Sequence, residues 1–347
     1  MSQGQGAQLL KQGMAEINPG LRSQRRTHYL SNSGTVERRS ILKAAAAFGG
    51  LSTLAVIAPA LSEAAKESEI PAAASPEVKL EDVPAGPNIK LTIERRGQIV
   101  LFGINRPYIQ NRFDPETFEK LAEAYYQYDH DPSLRAAILF GHGENFSRGI
   151  DVEGFKSIAG TGKPWIASTG TIDPLAKRAP RLTKPLVVVT HGDTWNMAQE
   201  LHLVADIRIA SADTRFGQDE NTHGRFPGGG STILFPREIG WGNAMRYILT
   251  GDHWSAEEAY RIGEVQQVAP DAKEALEAGI LIANKVADCG PLGIKTSLAS
   301  AHLAIDYSEE EALSKLDAQF GALFHTQDFL EGRKAEAEGR KPVYQGK

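Results

Sequence analysis

Hydrophobic and polar positions divide the chain into an N-terminal block without regular periodicity and a body in which short apolar runs alternate with helical text. Leu91–Glu94 and Ile99–Phe102 flank Arg96-Gly97, a spacing that predicts a hairpin opening a sheet. Asp114-Pro115-Glu116 then supplies an N-cap, a first-turn proline and an acid at the positive end of a helix. Phe118, Leu121, Ala122 and Tyr125 follow at i, i+3, i+4 and i+7, which predicts a helix with one buried face. Residues 135–141 (RAAILFG), Leu186–Val189 and Ile207–Ala210 read as short apolar strands. Strands separated by helical text predict an α/β domain with crossover connections. From Pro291 onward the chain turns helical and charged, with no strand candidates and no internal repeat.

The block ahead of this body reads as an address. Arg38-Arg39-Ser40-Ile41-Leu42-Lys43 is followed by an uncharged stretch of small and apolar residues from Ala44 to Ala60, and Ala58-Pro59-Ala60 offers a cleavage site. The order resembles a twin-arginine leader, the kind that exports proteins already folded, and predicts an exported or periplasmic body, cytoplasmic only where the leader is not used. Gly49, Gly50, Ser52, Thr53 and Pro59 make the stretch too weakly hydrophobic for a membrane span, so none is expected in the mature form. Leu61–Pro87, rich in Ala, Pro, Ser and Glu, reads as a flexible linker. The expected organisation is a leader over 1–60, a linker over 61–87, a core over 88–290 and a C-terminal helical oligomerisation region over 291–347.

Charge narrows the partners. The 347 residues carry 38 Lys and Arg against 43 Asp and Glu, a net charge of −5. Seven basic and two acidic residues lie in positions 1–60, which leaves 31 basic against 41 acidic residues, a balance of −10, for the rest. An acidic body argues against a nucleic-acid surface, because phosphate neutralisation needs clustered Lys and Arg. The single cysteine, Cys289, excludes an intramolecular disulfide and a multi-cysteine zinc site, and the histidines show no H-x-x-x-H spacing, so no metal is expected.

Three segments carry candidate chemistry. Residues 141–151 (GHGENFSRGID) follow an apolar strand, and glycines there either just bend the chain or let backbone N–H groups approach an anion. Residues 184–201 (KPLVVVTHGDTWNMAQEL) run from a buried strand through a Gly turn into a helix starting near Asn196, where free N–H groups and the helix dipole stabilise negative charge. Glu200 lies three residues after Met197, on the same face, where it also suits the dipole alone. Residues 216–232 (FGQDENTHGRFPGGGST) place Glu220 between a strand end and a Gly-rich turn. Two carboxylates with two candidate oxyanion donors form an apparatus for moving protons next to a carbonyl.

These segments, with residues 250–265 (TGDHWSAEEAYRIGEV) and the tail from Phe329 to Tyr344, resemble the crotonase superfamily of enoyl-CoA hydratases and isomerases, in order from about Ile89 to Gly346. The resemblance implies a ββα spiral core, a C-terminal helical trimerisation region, and a homotrimer or hexamer. It implies backbone N–H groups of Ile150 and Met197 as the oxyanion hole, and Glu200 and Glu220 as the acids that hold and activate a water. Asn111 and Arg112, with Gly149, Asp151 and Lys341, take the substrate and CoA positions. No cofactor is implied beyond the CoA carried by the substrate. The expected activity is hydration, or double-bond shift, of an enoyl thioester.

The chain departs from the family where a run of glycines is usual, having Asn196-Met197-Ala198 after the bulky Trp195, and Arg148 brings a cation near the carbonyl position. With the leader, these departures favour as an alternative a cofactor-free hydrolase cleaving a C–C bond of a β-diketone, with His142, His191, His202 or His223 as its base. A non-catalytic crotonase-fold binding protein is the second alternative. His202, two residues beyond Glu200, is expected to point away from it. Residues 156–181 read as a mobile loop over the pocket.

Overall fold

The computed structural model describes residues 79–158, 165–166, 168–225, 227–307, 322–323 and 325–347; the leader and the first part of the linker lie outside the described residues. Strands β1 (Leu91–Arg96) and β2 (Ile99–Ile104) form the expected antiparallel hairpin around Gly97, with Leu91 opposite Ile104 and Arg96 opposite Ile99. Helix α1 (Pro115–His130) starts as its sequence demands, with the Asp114 carboxylate accepting from the Thr117 N–H, and Phe118, Leu121, Ala122 and Tyr125 are all buried. The chain continues through β3 (Ala136–Gly141) and β4 (Leu186–Thr190) to a short strand β5 (Asp193–Trp195). Helix α2 (Met197–Val204) follows at once, and then β6 (Ile207–Ser211) and β7 (Arg215–Gly217). Helices α3 (Ser231–Ile239) and α4 (Trp241–Thr250) lead to β8 (Trp254–Ser255), α5 (Ala256–Arg261), β9 (Gln267–Ala269) and α6 (Ala272–Ala287).

The main sheet has the order β1-β2-β3-β4-β6-β9 and is parallel beyond the hairpin. Strands β2 and β4 are buried along their whole length, as parallel strands covered on both faces must be. One face packs Phe102, Leu139 and Val188 against Phe118, Leu121 and Tyr125 of α1. The other packs Leu101, Ile138 and Val189 against Ala275, Ala283 and Ala287 of α6. A second sheet, β5-β7-β8, buries Phe216 and Trp254 against Phe235 and Tyr247 from α3 and α4, with the rings of Tyr247 and Trp254 4.5 Å apart. This is the mixed α/β fold the sequence predicts.

The C-terminal part is helical, with α7 (Pro291–Asp306) and α8 (Gln327–Glu338), and among the described residues no helix is long and apolar enough to cross a membrane. Two segments are more firmly docked than their composition suggests. Residues 79–87 belong to the expected linker, yet Leu80 is buried with its N–H donating to Asp131, and Val83 pairs with Ile93 on the edge of β1. Two apolar side chains are enough to seat this Pro-bearing stretch along a free strand edge. In the expected loop over 156–181, Ile172 and Leu175 are buried in the α1 face of the core, and the Ile172 N–H donates to the Ala122 carbonyl.

Candidate active site

Two turns at the ends of β3 and β4 are stitched together by backbone hydrogen bonds. The Ser147 N–H donates to the Asp193 carbonyl at 3.1 Å and the Trp195 N–H to the Ser147 carbonyl at 3.0 Å. Asn111, fully buried, holds the first turn from beneath: its amide donates to the carbonyls of His142 and Asn145 and accepts from the Arg106 N–H. Gly149 has φ +83°, and a Cβ there would lie 3.0 Å from the Trp195 carbonyl oxygen and 3.4 Å from the Met197 nitrogen. The turns therefore touch where only a glycine fits.

Among the described residues, each turn presents an N–H group that has no backbone acceptor. Phe113 donates to the Gly149 carbonyl and accepts from the Asp151 N–H, so the intervening Ile150 turns its own N–H to the opposite edge. Met197 is the first residue of α2, and the carbonyl four residues back, that of Asp193, lies in β5 and accepts from Ser147 instead. Among the described residues neither group donates to a backbone acceptor. Asn196, before it, has φ 56° and ψ −118°, a conformation that glycine prefers and that costs another residue about 1–3 kcal/mol.

Glu200 stands one turn into α2 and is 3% exposed. Its Oε1 accepts from the N–H groups of Gly229, at 2.6 Å, and Ser231, at 3.3 Å. Burial, reinforced by the charge of Glu220, pushes its pKa up to about 7 against the opposing pull of those two N–H groups. Glu220 opens a single 3₁₀ turn, and the Gln218 amide donates to both of its oxygens at 2.9 Å. Burial raises this carboxyl as well. The Gln218 carbonyl oxygen in turn accepts from the Ser231 hydroxyl at 2.7 Å. The two acids are thus joined through Gln218 and Ser231, and neither linker was singled out in the sequence, because each gains its role only when segments 13 residues apart meet.

The remaining sequence-predicted residues divide by what they touch. Asp151 lies 3.5 Å from the buried Arg106 guanidinium, which also pairs with Asp114 at 3.1 Å. Arg112 is half-buried, and its guanidinium has no hydrogen bond or ion pair among the described residues. Lys341 is exposed on the C-terminal tail, 2.5 Å from Asp288. Arg148 is already committed, bonded to Asp193 through Nε at 2.6 Å and stacked 4.4 Å over the Trp195 ring. His142 and His191 bond Thr92 and the Gly143 carbonyl, and burial lowers both. A cavity of about 580 Å³ meets this site at the Gly228–Gly230 turn and is walled by Leu175, Lys177, Leu203 and Ile233.

Behind α2 lies a further buried acid. Glu264 accepts from the Gln199 amide and from Trp254 Nε1 at 2.7 Å, with His202 Nε2 3.7 Å away, so His202 faces Glu264 rather than the site. Burial pushes Glu264 up to about 7. Its folded pKa exceeds the ordinary 4.5, so the protonated form contributes stability that is full below about pH 4.5 and is lost as pH rises through about 7. Glu264→Gln is expected to flatten the fall in melting temperature between pH 5 and 8, a difference worth up to about 3 kcal/mol. Gln199 Oε1 is unpartnered and accommodates the new amide by rotating. A Tm that depends on pH as steeply in the variant as in the parent would contradict this, by calorimetry across that range.

The family profile for enoyl-CoA hydratase/isomerase matches residues 94–347. An enoyl-CoA hydratase from Mycobacterium tuberculosis is 33% identical over 268 residues, spanning 76% of this chain and 99% of that protein. A short-chain-enoyl-CoA hydratase from Clostridium acetobutylicum is 30% identical over 250 residues, spanning 72% of this chain and 95% of that protein. Among solved structures, a probable enoyl-CoA hydratase/isomerase from Mycobacterium abscessus is 37% identical and superposes with a TM-score of 0.73, over 75% of this chain and 99% of that one.

Proposed function

Because the chain belongs to the enoyl-CoA hydratase/isomerase family, we propose that it adds water across the double bond of an enoyl-CoA thioester, with Glu200 and Glu220 as the acid/base pair. The observation that carries this reading is the continuous link Glu200–Ser231–Gln218–Glu220, which sets a buried and a half-buried carboxyl group in one field. Coupled acids of this kind hold one proton between them over a broad pH range. Hydration needs that stoichiometry: an ionised carboxylate to take a proton from water and a protonated one to give a proton to the α-carbon. Double-bond migration can proceed with one acid, so the retained pair favours hydration.

As water adds at the β-carbon, the π electrons move onto the thioester oxygen. The N–H groups of Ile150 and Met197 are the donors for that enolate oxygen, and the positive end of α2 adds to them. Losing one such donor typically costs about 2.7–4 kcal/mol of transition-state stabilisation. The enolate collapses by taking a proton at the α-carbon, which leaves a β-hydroxyacyl thioester. Arg112, whose guanidinium has no hydrogen bond or ion pair among the described residues, and the exposed Lys341 suit the phosphates of CoA, while Asn111, Gly149 and Asp151 serve by holding the turn that bears Ile150.

Calorimetric titration with acetoacetyl-CoA, an enolate-forming thioester that hydration cannot consume, tests the thioester site. Saturable binding that weakens in Arg112→Met is expected; a folded protein that does not bind it would move the reading to a CoA-free substrate.

Two further parts of the reading rest on resemblance: export through the twin-arginine-like leader, and a homotrimer or hexamer assembled through the C-terminal helices. Replacing Arg38 and Arg39 with Lys is expected to retain the protein in the cytoplasm, and its continued export on fractionation would contradict the leader. A monomeric mass by light scattering would contradict the assembly.

A further inference from the structure

The peptide joining Asn196 to Met197 is planar, so rotation about the Asn196 Cα–C bond swings the Met197 N–H through space. Asn196 stands at φ 56° and ψ −118°, where a side chain is disfavoured and glycine is at ease. Both flanks of this residue are tied to the segment that leads into Glu220. Its own N–H donates to the Gly217 carbonyl at 2.8 Å. Its side-chain Oδ1 accepts from the Asp219 N–H at 3.1 Å. Asp219 is braced in turn by His253, whose Nε2 lies 3.3 Å from its carboxylate and whose ring lies 4.7 Å from that of Trp195. A disfavoured backbone persists at a site only where its surroundings hold it there.

We propose that Asn196 is a positioning residue, whose side-chain amide fixes the rotation of the Met197 peptide and so aims its N–H at the thioester oxygen in register with Glu220. The inference rests on the oxyanion role proposed for Met197. A glycine at this position relieves the backbone but leaves the peptide free to turn. An alanine keeps the disfavoured backbone and loses the same bond. Rate should therefore follow the amide, whereas stability should fall only in the alanine, which keeps the disfavoured backbone without the bond that offsets it.

Asn196→Gly and Asn196→Ala separate these effects through turnover of crotonyl-CoA, melting temperature, and the infrared carbonyl stretch of the bound thioester, which reports how strongly the donors pull on its oxygen. Both variants are expected to lose about 10–100-fold in kcat with KM changed less than about threefold, and to move the bound carbonyl band back toward its position in water. Only Asn196→Ala is expected to melt lower than the parent. A kcat and band unchanged in Asn196→Gly, or a loss confined to one of the two variants, overturns the inference. If Asn196→Ala does not fold, Asn196→Gly decides alone. A parent protein that leaves the band unmoved contradicts the oxyanion assignment itself, whereas a moved band that survives Asn196→Gly contradicts only the role of Asn196.

Discussion

Glu200→Gln and Glu220→Gln are each expected to reduce crotonyl-CoA hydration by about 10²–10⁴-fold, the range that a positioned general acid or base supplies. Neither change should disturb the fold. An amide oxygen at position 200 still accepts from the N–H groups of Gly229 and Ser231, and it removes a carboxyl that burial holds up to about 7. Glu200→Gln should therefore melt no lower than the parent at pH 8, where the parent must hold that buried carboxyl largely ionised. Glu220→Gln keeps one acceptor for the Gln218 amide. Steady-state rates with circular dichroism on the same samples check both variants. Parent-like turnover in either would remove that residue from the chemistry.

Gly229→Ala is expected to be nearly as damaging to the rate, though it adds only a methyl group. A Cβ at this position would lie 2.0 Å from Glu200 Oε2 and 2.5 Å from its Cδ, so the carboxylate must leave its place. Leaving breaks the 2.6 Å bond from the Gly229 N–H and moves a proton-transfer group, and a displacement near 1 Å costs about 10²-fold. The fold itself should lose about 1–3 kcal/mol, the usual cost of an overfilled site, because what must yield is the end of a side chain. Gly242→Ala is the control, since nothing lies within 4 Å of a Cβ there. A Gly229→Ala enzyme with more than a tenth of the parental rate would contradict the placement of Glu200.

The secondary structure was legible wherever one local rule sufficed. The Asp114 cap and the i, i+3, i+4, i+7 spacing define α1 without reference to any other part of the chain, and the alternation around Gly97 does the same for the hairpin. Leu80 and Val83 escaped, because two apolar residues amid prolines have no period, and only the free edge of β1 gives them a place. At the site, Glu200 and Glu220 were legible as acids near strand and helix ends. Gln218 and Ser231 were not, for a buried amide and hydroxyl say nothing until their partners are known. Arg148 was visible as a cation, but its pairing with Asp193, 45 residues away, was not, and that pairing removes it from the role the sequence suggested. Glu264 lay unnoticed for the same reason, since Gln199 and Trp254 meet it only in the folded chain.

The most direct test of the account is the turnover of crotonyl-CoA by the purified chain, followed as loss of the conjugated thioester absorbance with the product identified by mass and by its chiral β-carbon. Steady conversion to 3-hydroxybutyryl-CoA, slowed about 10²–10⁴-fold by Glu200→Gln and by Glu220→Gln, is the predicted result. A folded protein that leaves crotonyl-CoA unchanged, or one that converts it equally well without either carboxylate, would contradict the account.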